Sequence, residues 1–460
     1  MIKELHIQNF KAWSNSGPIR MAPLTIFCGN NSSGKSSIAQ FLLMLKQTVE
    51  SYDRQRVFHL GDKDSLIDLG AYSDIVFQHD EDNHIKFGFT FDSEPIRIVD
   101  ASNNSNVGNI GTFTKIQFDA DVSYDKKGSK IILDRFKYEL VNGKDISFQL
   151  IQEQPSKYKL EANNFNPTRQ KGRAWRLPNP ENFFGFPNEA VAYYQNTSFL
   201  QDLSLAIKNL FKSVYYVGPL RDHPERFYQF SGEVPPDVGE KGKTAINALL
   251  AAKDRMISRG FKMKAESFDS LIARWLREMG LIDKFRVVPI HRGRKEYEVR
   301  VKPQKESPEV LITDVGFGVS QILPVLVQCF YVSPNSILFF EQPEIHLHPS
   351  VQSHLGDLFI EAIHSREKGK SRNTQIVVES HSEHLIRRIQ RRIAEEKIKP
   401  EEVAIYFIHQ VKGSAVLEEL QIDAYGNITN WPSNFFGNDV EDLSEMTKAA
   451  RDRKRKLQNG

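Results

Sequence analysis

The chain has 460 residues, 40% of them hydrophobic and 26% charged, with a formal net charge of +3. It is long enough for two or three domain-sized units around a large core, and its charge balance does not by itself demand a nucleic-acid partner. Two widely separated cysteines, Cys28 and Cys329, fit buried thiols in a reducing cytoplasm rather than a disulfide framework, and apolar runs such as 322–331, with its proline, are too short and broken for a fused membrane transporter.

The opening MIKELHIQNF lacks the apolar centre of a signal peptide; Leu5, Ile7 and Phe10 alternate as a strand face. Leu24 to Cys28 is a short apolar run ending at Gly29, and from about Lys35 the positions Ile38, Phe41, Leu42 and Leu45 have helical spacing. Between about 84 and 162 the period becomes two. Phe87, Phe89 and Phe91, then Ile116, Phe118 and Val122, then Ile146, Phe148 and Leu150 predict half-buried antiparallel strands. The Asn/Gly-rich segment 102–111 predicts a loop, and the Pro/Asn/Arg-rich segment 163–187 a long surface loop. Residues 243–281 return to helical spacing and predict a short helical arm, followed by a hairpin over 285–288 and 297–301. Heptads are not sustained. From Leu311 the pattern is α/β, with buried parallel strands at 337–340 and 375–378, strands again over 403–422 and a charged helix from Glu441.

Gly29-Asn-Asn-Ser-Ser-Gly34-Lys35-Ser36 fits the P-loop pattern at every defined position. Its glycines let successive backbone N–H groups curl around phosphate, and the following helix offers its positive end. We expect Asn30, Asn31, Ser33, Gly34, Lys35, Ser36 and Ser37 to bind ATP, with Lys35 neutralising the β- and γ-phosphates and Ser36 ligating Mg²⁺. Ile-x-Asn-Phe-Lys at 7–11 followed by this loop resembles the heads of RecF and SMC proteins, an SMC-like ABC ATPase class. That resemblance places Lys11 near the phosphates; a solvated lysine at a strand end is the other reading.

The segment 337–349, ILFFEQPEIHLHP, is the second strong signal. Glu341 ends its apolar strand, where a doubly wound sheet puts ligand groups, and is expected to hold Mg²⁺ as a Walker B acid. The segment resembles the E-E-P-E-x-H-L-H-P motif of the overcoming-lysogenization-defect family, with Gln342 where the resemblance implies a catalytic glutamate. An amide orients water but accepts no proton, so either Glu344 takes the base role or turnover is slow and the ATP-bound dimer long-lived. The segment 314–321 resembles an ABC signature loop, implying that Gly318, Ser320 and Gln321 cap the nucleotide of a second copy; Ser320 is equally a helix N-cap. His381, after the strand 376–379, resembles a switch histidine bonding the γ-phosphate. A zinc site from His346, His348 and His381 lacks a spaced cysteine or acidic cluster. Tyr215 to Arg221 recurs in such ATPases, where Arg221 could reach nucleotide or a neighbouring subunit. Gln78 is a candidate for the Q-loop, and Arg387, Arg388, Arg391 and Arg392 form one helix face, either solvated or a docking stripe.

No Asp-x-Asp pair of a Toprim nuclease follows His381, and no HNH or Cys-rich module is present. The whole therefore resembles stand-alone ATPase subunits of the Septu, retron-associated and PARIS anti-phage systems. The expected fold is α/β, a P-loop ABC-type ATPase head with an antiparallel β lobe, a short helical arm and a small α+β extension. The expected parts are an N-terminal ATPase lobe over 1–230, the arm over 231–305, a C-terminal ATPase lobe over 306–420 and the extension over 421–460. The expected activity is ATP-dependent dimerisation with slow hydrolysis, controlling a separate effector nuclease or toxin. A RecF-like DNA-repair ATPase and a non-hydrolysing ATP-gated scaffold are the alternatives, the first with nucleic acid as a partner.

Overall fold

Short apolar runs buried on both faces make parallel strands, and five of them build the centre of this molecule. The structure is a computed structural model describing residues 1–100, 108–141, 146–172, 175–291, 293–316, 318–432 and 444–451. The strands Val214–Val217, Ile337–Glu341, Gln375–Glu379, Leu24–Gly29 and Val403–Val411 lie side by side in that order, all parallel, and Ser414–Glu419 closes one edge antiparallel. Alternate side chains enter two different cores. Leu24, Ile26, Leu338, Phe340, Ile376 and Val378 face one; Phe27, Phe339 and Val377 face the other.

The first core is covered by the helices Gly318–Tyr331, Pro349–His364 and Glu383–Ala394. On the opposite face lie the helices Lys35–Glu50 and Leu200–Lys212 and an eight-stranded antiparallel sheet. That sheet begins with Ile2–Phe10 and continues as a meander through Ile85–Asp100, Gly108–Asp125, Lys130–Leu140, Ile146–Gln154 and Lys157–Asn163. Its inward positions are crowded with aromatic rings. Phe118 has the centroids of Phe89, Tyr138, Phe183 and Phe87 at 5.2, 5.0, 6.0 and 6.1 Å. The mixed α/β class with a large antiparallel sheet is as expected from the pattern. Cys28 and Cys329 are free and buried. Among the described residues no helix is long and apolar enough to cross a membrane.

Two segments differ from their sequence readings, and two more gain a packing partner or a local detail. The antiparallel strand resumes at Gly108, so strand replaces loop over 108–111, while 101–107 lie outside the described residues. The segment 163–187 is not purely surface: Phe183, Phe184 and Phe186 are buried in the aromatic core, where burial of rings overrides the turn-forming residues around them. The helical arm is two short helices, Ala245–Ala252 and Phe268–Glu278, packed on Gly318–Tyr331. Their apolar faces, with Leu249, Leu271 and Trp275, join the helical core. The final part, 421–460, shows an isolated bridge between Ile422 and Ile428 and a helix over 444–451 among its described residues. Trp431 lies under Arg387 at 5.2 Å, and Phe435 and Phe436 fall outside the described residues.

Truncating Phe118 to alanine removes a ring at the centre of this lobe. We expect a loss of about 3–5 kcal/mol, read as a lowered urea midpoint with unchanged slope.

Candidate functional site

The parallel strands all end on one edge of the central sheet, and the P-loop lies there. Gly29 ends its strand at φ 140°, and a Cβ on it would meet the Ile408 carbonyl oxygen at 2.0 Å, so only glycine lets the loop leave beside its neighbour. Gly34, at φ 103°, opens the helix Lys35–Glu50 without any side-chain cap, which leaves the first-turn N–H groups for an anion. A cleft of about 450 Å³ is lined by Lys11, Asn31, Ser33, Gly34, Lys35, Ser36, Ser37, Gln40, Gln342, Glu379 and His381, among others. Nine of the sequence-predicted site residues are thus brought together. Asn30 contributes its backbone: Lys35 Nζ donates to its carbonyl at 2.6 Å and to that of Gly29 at 3.1 Å. Burial lowers the Lys35 pKa, and Glu379 opposes that shift. Lys11 Nζ reaches Gln40 Oε1 at 2.8 Å, so the lysine of the opening strand belongs to the cleft.

The neighbouring strand ends supply the acids. Glu379, 2% exposed, accepts a hydrogen bond from Ser36 Oγ at 2.9 Å through Oε1. Burial, and after it the charge of Glu341, pushes its carboxyl up to about 7. Glu341 is the register partner of Glu379, but its Oε2 accepts the Tyr216 hydroxyl at 2.6 Å and it is not among the cleft-lining residues. Gln342 stands at φ 43°, donates its N–H to the Glu379 carbonyl at 2.8 Å and faces the cleft. The His381 ring lines the cleft too, its pKa lowered by burial and by Lys35.

Glu344 has a different task from the base role anticipated for it. Its Oε1 accepts the His381 backbone N–H at 2.7 Å, it is buried, and it is not among the cleft-lining residues. A carboxylate committed to the switch loop fixes His381 instead of swinging to a water. Arg221 likewise does not project to a nucleotide or a neighbour. It is buried, and its guanidinium donates to the carbonyls of Gln321, Glu341, Gln342 and Pro343 at 3.3–3.5 Å. Burial lowers its pKa to about 10, with the charge of Glu344 acting against that.

Gly318, Ser320 and Gln321 open the helix Gly318–Tyr331 and are not among the residues lining the cleft. Ser320 and Gln321 are buried, and Ser320 borders a separate hollow with Asp222, Tyr228 and Pro324. Gln78 does not line the cleft either; besides Gln342, the glutamine that does is Gln40, one helical turn beyond Ser36. The arginine face is used internally. Arg388 and Arg392 both pair with Asp357 on the preceding helix, and Arg391 pairs with Glu395. His348 caps the helix Pro349–His364 by accepting from Ser350 N.

Glu379 and Gln40 were the site residues that motif reading missed. Gln40 had a signal, since four residues after Ser36 it shares that residue's face of the helix that follows the P-loop. Glu379 had one too: an acid at the C-terminal end of an apolar strand, like Glu341, overshadowed by the histidine two residues on.

A phosphate-cradling loop at the open edge of a parallel sheet, faced by strand-end acids, is the site of a P-loop nucleotide-binding ATPase. Residues 24–387 match the family described as "AAA domain, putative AbiEii toxin, Type IV TA system", and the chain belongs to that family. Residues 398–446 match a second family, "Protein of unknown function (DUF3696)". Three solved structures give weaker likenesses. An SMC head bound to the C-winged helix domain of ScpA is 13% identical, with 92% of this chain and 98% of that chain covered and a TM-score of 0.44. The SMC head domain from Thermotoga maritima is 12% identical over 92% and 99% of the two chains, at 0.39. An Smc head with an extended coiled coil, bound to the C-terminal domain of ScpA derived from Pyrococcus furiosus, is 12% identical over 98% and 99%, at 0.39. No curated protein matches.

Replacing Glu344 with alanine strands the His381 N–H and removes a carboxylate whose charge acts on Arg221. Stability should fall by about 1–3 kcal/mol in chemical denaturation, whereas Glu344→Gln, which keeps an acceptor, should lose less.

Proposed function

We propose that this chain binds Mg²⁺–ATP in the P-loop cleft, hydrolyses it slowly and pairs with a second copy of itself around the nucleotide. The carrying observation is the uncapped helix start at Gly34 and Lys35, set against Ser36, Gln342, Glu379 and His381 in one cleft. In this reading Asn31, Ser33, Gly34, Lys35, Ser36 and Ser37 surround the phosphates, Asn30 holds Lys35 in place, and His381 meets the γ-phosphate. The donor set suits magnesium: Ser36 and the strand-end carboxylates are hard oxygen ligands, and a buried oxygen of Glu379, Oε2, has no hydrogen-bond partner. Bound magnesium would offset phosphate charge. Gly318, Ser320 and Gln321 lie away from this cleft at the start of their helix; with Ser320 and Gln321 buried, the half-exposed backbone at Gly318 is what would meet the nucleotide of the second copy.

Gln342 supports slow turnover. It faces the cleft where it can orient a water, but an amide takes no proton. A slow ATPase that stays paired for long intervals suits a sensor, and we propose that the paired state controls a separate nuclease or toxin in bacterial anti-phage defence. The toxin–antitoxin wording of the family description supports that reading. The internal pairing of Arg388 and Arg392 with Asp357 gives the DNA-repair alternative no support from that helix face.

Lys35→Ala should abolish binding of a fluorescent ATP analogue while leaving the circular dichroism spectrum unchanged, because the hydrogen bonds of the Lys35 ammonium go to the carbonyls of Gly29 and Asn30, at the start of the loop. Normal ATP affinity in that variant would sink the assignment. Wild-type turnover should lie well below the ~10 s⁻¹ typical of enzymes, and Gln342→Glu should raise it in a phosphate-release assay.

A further inference from the structure

Two acids end adjacent parallel strands beside the P-loop, and they are not equivalent. Glu341 and Glu379 are register partners. The Glu341 carboxylate is turned to the Tyr216 hydroxyl, on the strand that flanks it away from the P-loop. The Glu379 carboxylate is turned to Ser36, the residue whose hydroxyl a P-loop uses for its metal. Glu379 lines the cleft and Glu341 does not.

We propose that Glu379 is the carboxylate that, with Ser36, holds the divalent cation of the bound nucleotide, and that Glu341 is a supporting acid set back from it. This deepens the nucleotide-site reading above and rests on it. Three observations carry it. The Glu379 side chain is 2% exposed, and its Oε2 is sealed from solvent without a hydrogen-bond partner. A buried carboxylate oxygen in that condition is costly unless a cation or donor arrives. The nearest fixed cation does not fill the role: Lys35 Nζ is held by the carbonyls of Gly29 and Asn30. Finally, Gln342 carries no charge, so Glu379 is the only acid among the cleft-lining residues and the only one facing both the serine and the space where phosphates fit. Serine hydroxyl and carboxylate oxygen are both hard donors of the type magnesium takes. Their hydrogen bond keeps the two oxygens adjacent until the metal arrives.

The test is the metal affinity of the nucleotide complex, read on the full chain without turnover. Mn²⁺ binding in the presence of a non-hydrolysable ATP analogue is followed by electron paramagnetic resonance, for wild type, Glu379→Gln and Glu341→Gln. Glu379→Gln should weaken Mn²⁺ by about tenfold or more, and Glu341→Gln by clearly less. Metal-free analogue binding to Glu379→Gln should be unchanged or tighter, since a negative charge near the phosphates is gone. Ser36→Ala should reproduce the metal defect. If Glu379→Gln keeps wild-type Mn²⁺ affinity, or Glu341→Gln carries the larger loss, the assignment is overturned. Should Glu379→Gln fail to fold, Glu379→Asp decides: its shorter arm should weaken Mn²⁺, and an unchanged affinity counts against the proposal. Failure of wild type to bind the analogue at all would instead overturn the nucleotide-site reading and this assignment with it.

Discussion

A parallel sheet covered on both faces leaves its polar chemistry one outlet, the edge at which the strands end. In this molecule both faces are occupied: helices pack on one, and an aromatic-rich antiparallel sheet with the P-loop helix packs on the other. The strands themselves are almost wholly apolar up to their last residue. Leu338, Phe340, Ile376 and Val378 are fully buried, and the first acids appear at 341 and 379. Because all five central strands run the same way, Gly29, Glu341 and Glu379 leave the sheet together. The site is therefore a consequence of strand direction, and the loops only refine it.

The refinement is done by buried charge. Arg221 spans the loop after Glu341 and the start of the helix Gly318–Tyr331, bonding Glu341, Gln342 and Pro343 on one side and Gln321 on the other. All four distances are at the long end for N–H···O contacts, and its Nε has no partner. Arg372 is fully buried and donates to the carbonyls of Phe330 and Val332, at the far end of the same helix, and its Nε too has no partner. Both ends of that helix are thus held by a buried guanidinium. The end at Arg221 carries Gly318 and Ser320, where a second copy would have to dock in the proposed pairing. On the other side of the loop after Glu341, Glu344 ties it to His381. The cleft-lining loop after Glu341, the His381 loop and the start of the helix Gly318–Tyr331 are in this way joined through two buried ionic side chains.

Much of this was legible from residue pattern. The P-loop, the apolar strands at 337–340 and 375–378 and the period-two region each obey a local rule, and local rules survive folding when tertiary context agrees with them. The segment 163–187 failed because its prolines and asparagines signal turns while Phe183, Phe184 and Phe186 answer to a core built from strands far away in sequence. In the arm, helical spacing at 243–281 gave the helices but not the surface on which they lie. Within the site, the roles of Glu344 and Arg221 could not be read, since each depends on backbone groups brought near by the fold. Motif reading weighted Glu341, the acid inside a familiar pattern, over Glu379, which sits at the equivalent place on the next strand.

The identities at 342 and 379 are best understood as one choice. Glu341, Glu344 and Glu379 already crowd the ends of two adjacent strands, and Glu379 is raised first by burial and then by the charges of both others. Only one lysine of the loop stands near, and burial weakens its hold on its proton. A fourth acid at 342 would share that buried space, and like charges there cannot all ionise without a cation. An amide at 342 keeps a hydrogen-bonding group in the cleft without adding to the repulsion. The same amide leaves the strand ends with fewer charges to neutralise, and in the slow turnover proposed above it would orient a water without taking its proton. Glutamine at 342 beside glutamate at 379 thus limits the like charge gathered where two strands end, and an acid at 342 would add to it unless a cation were bound.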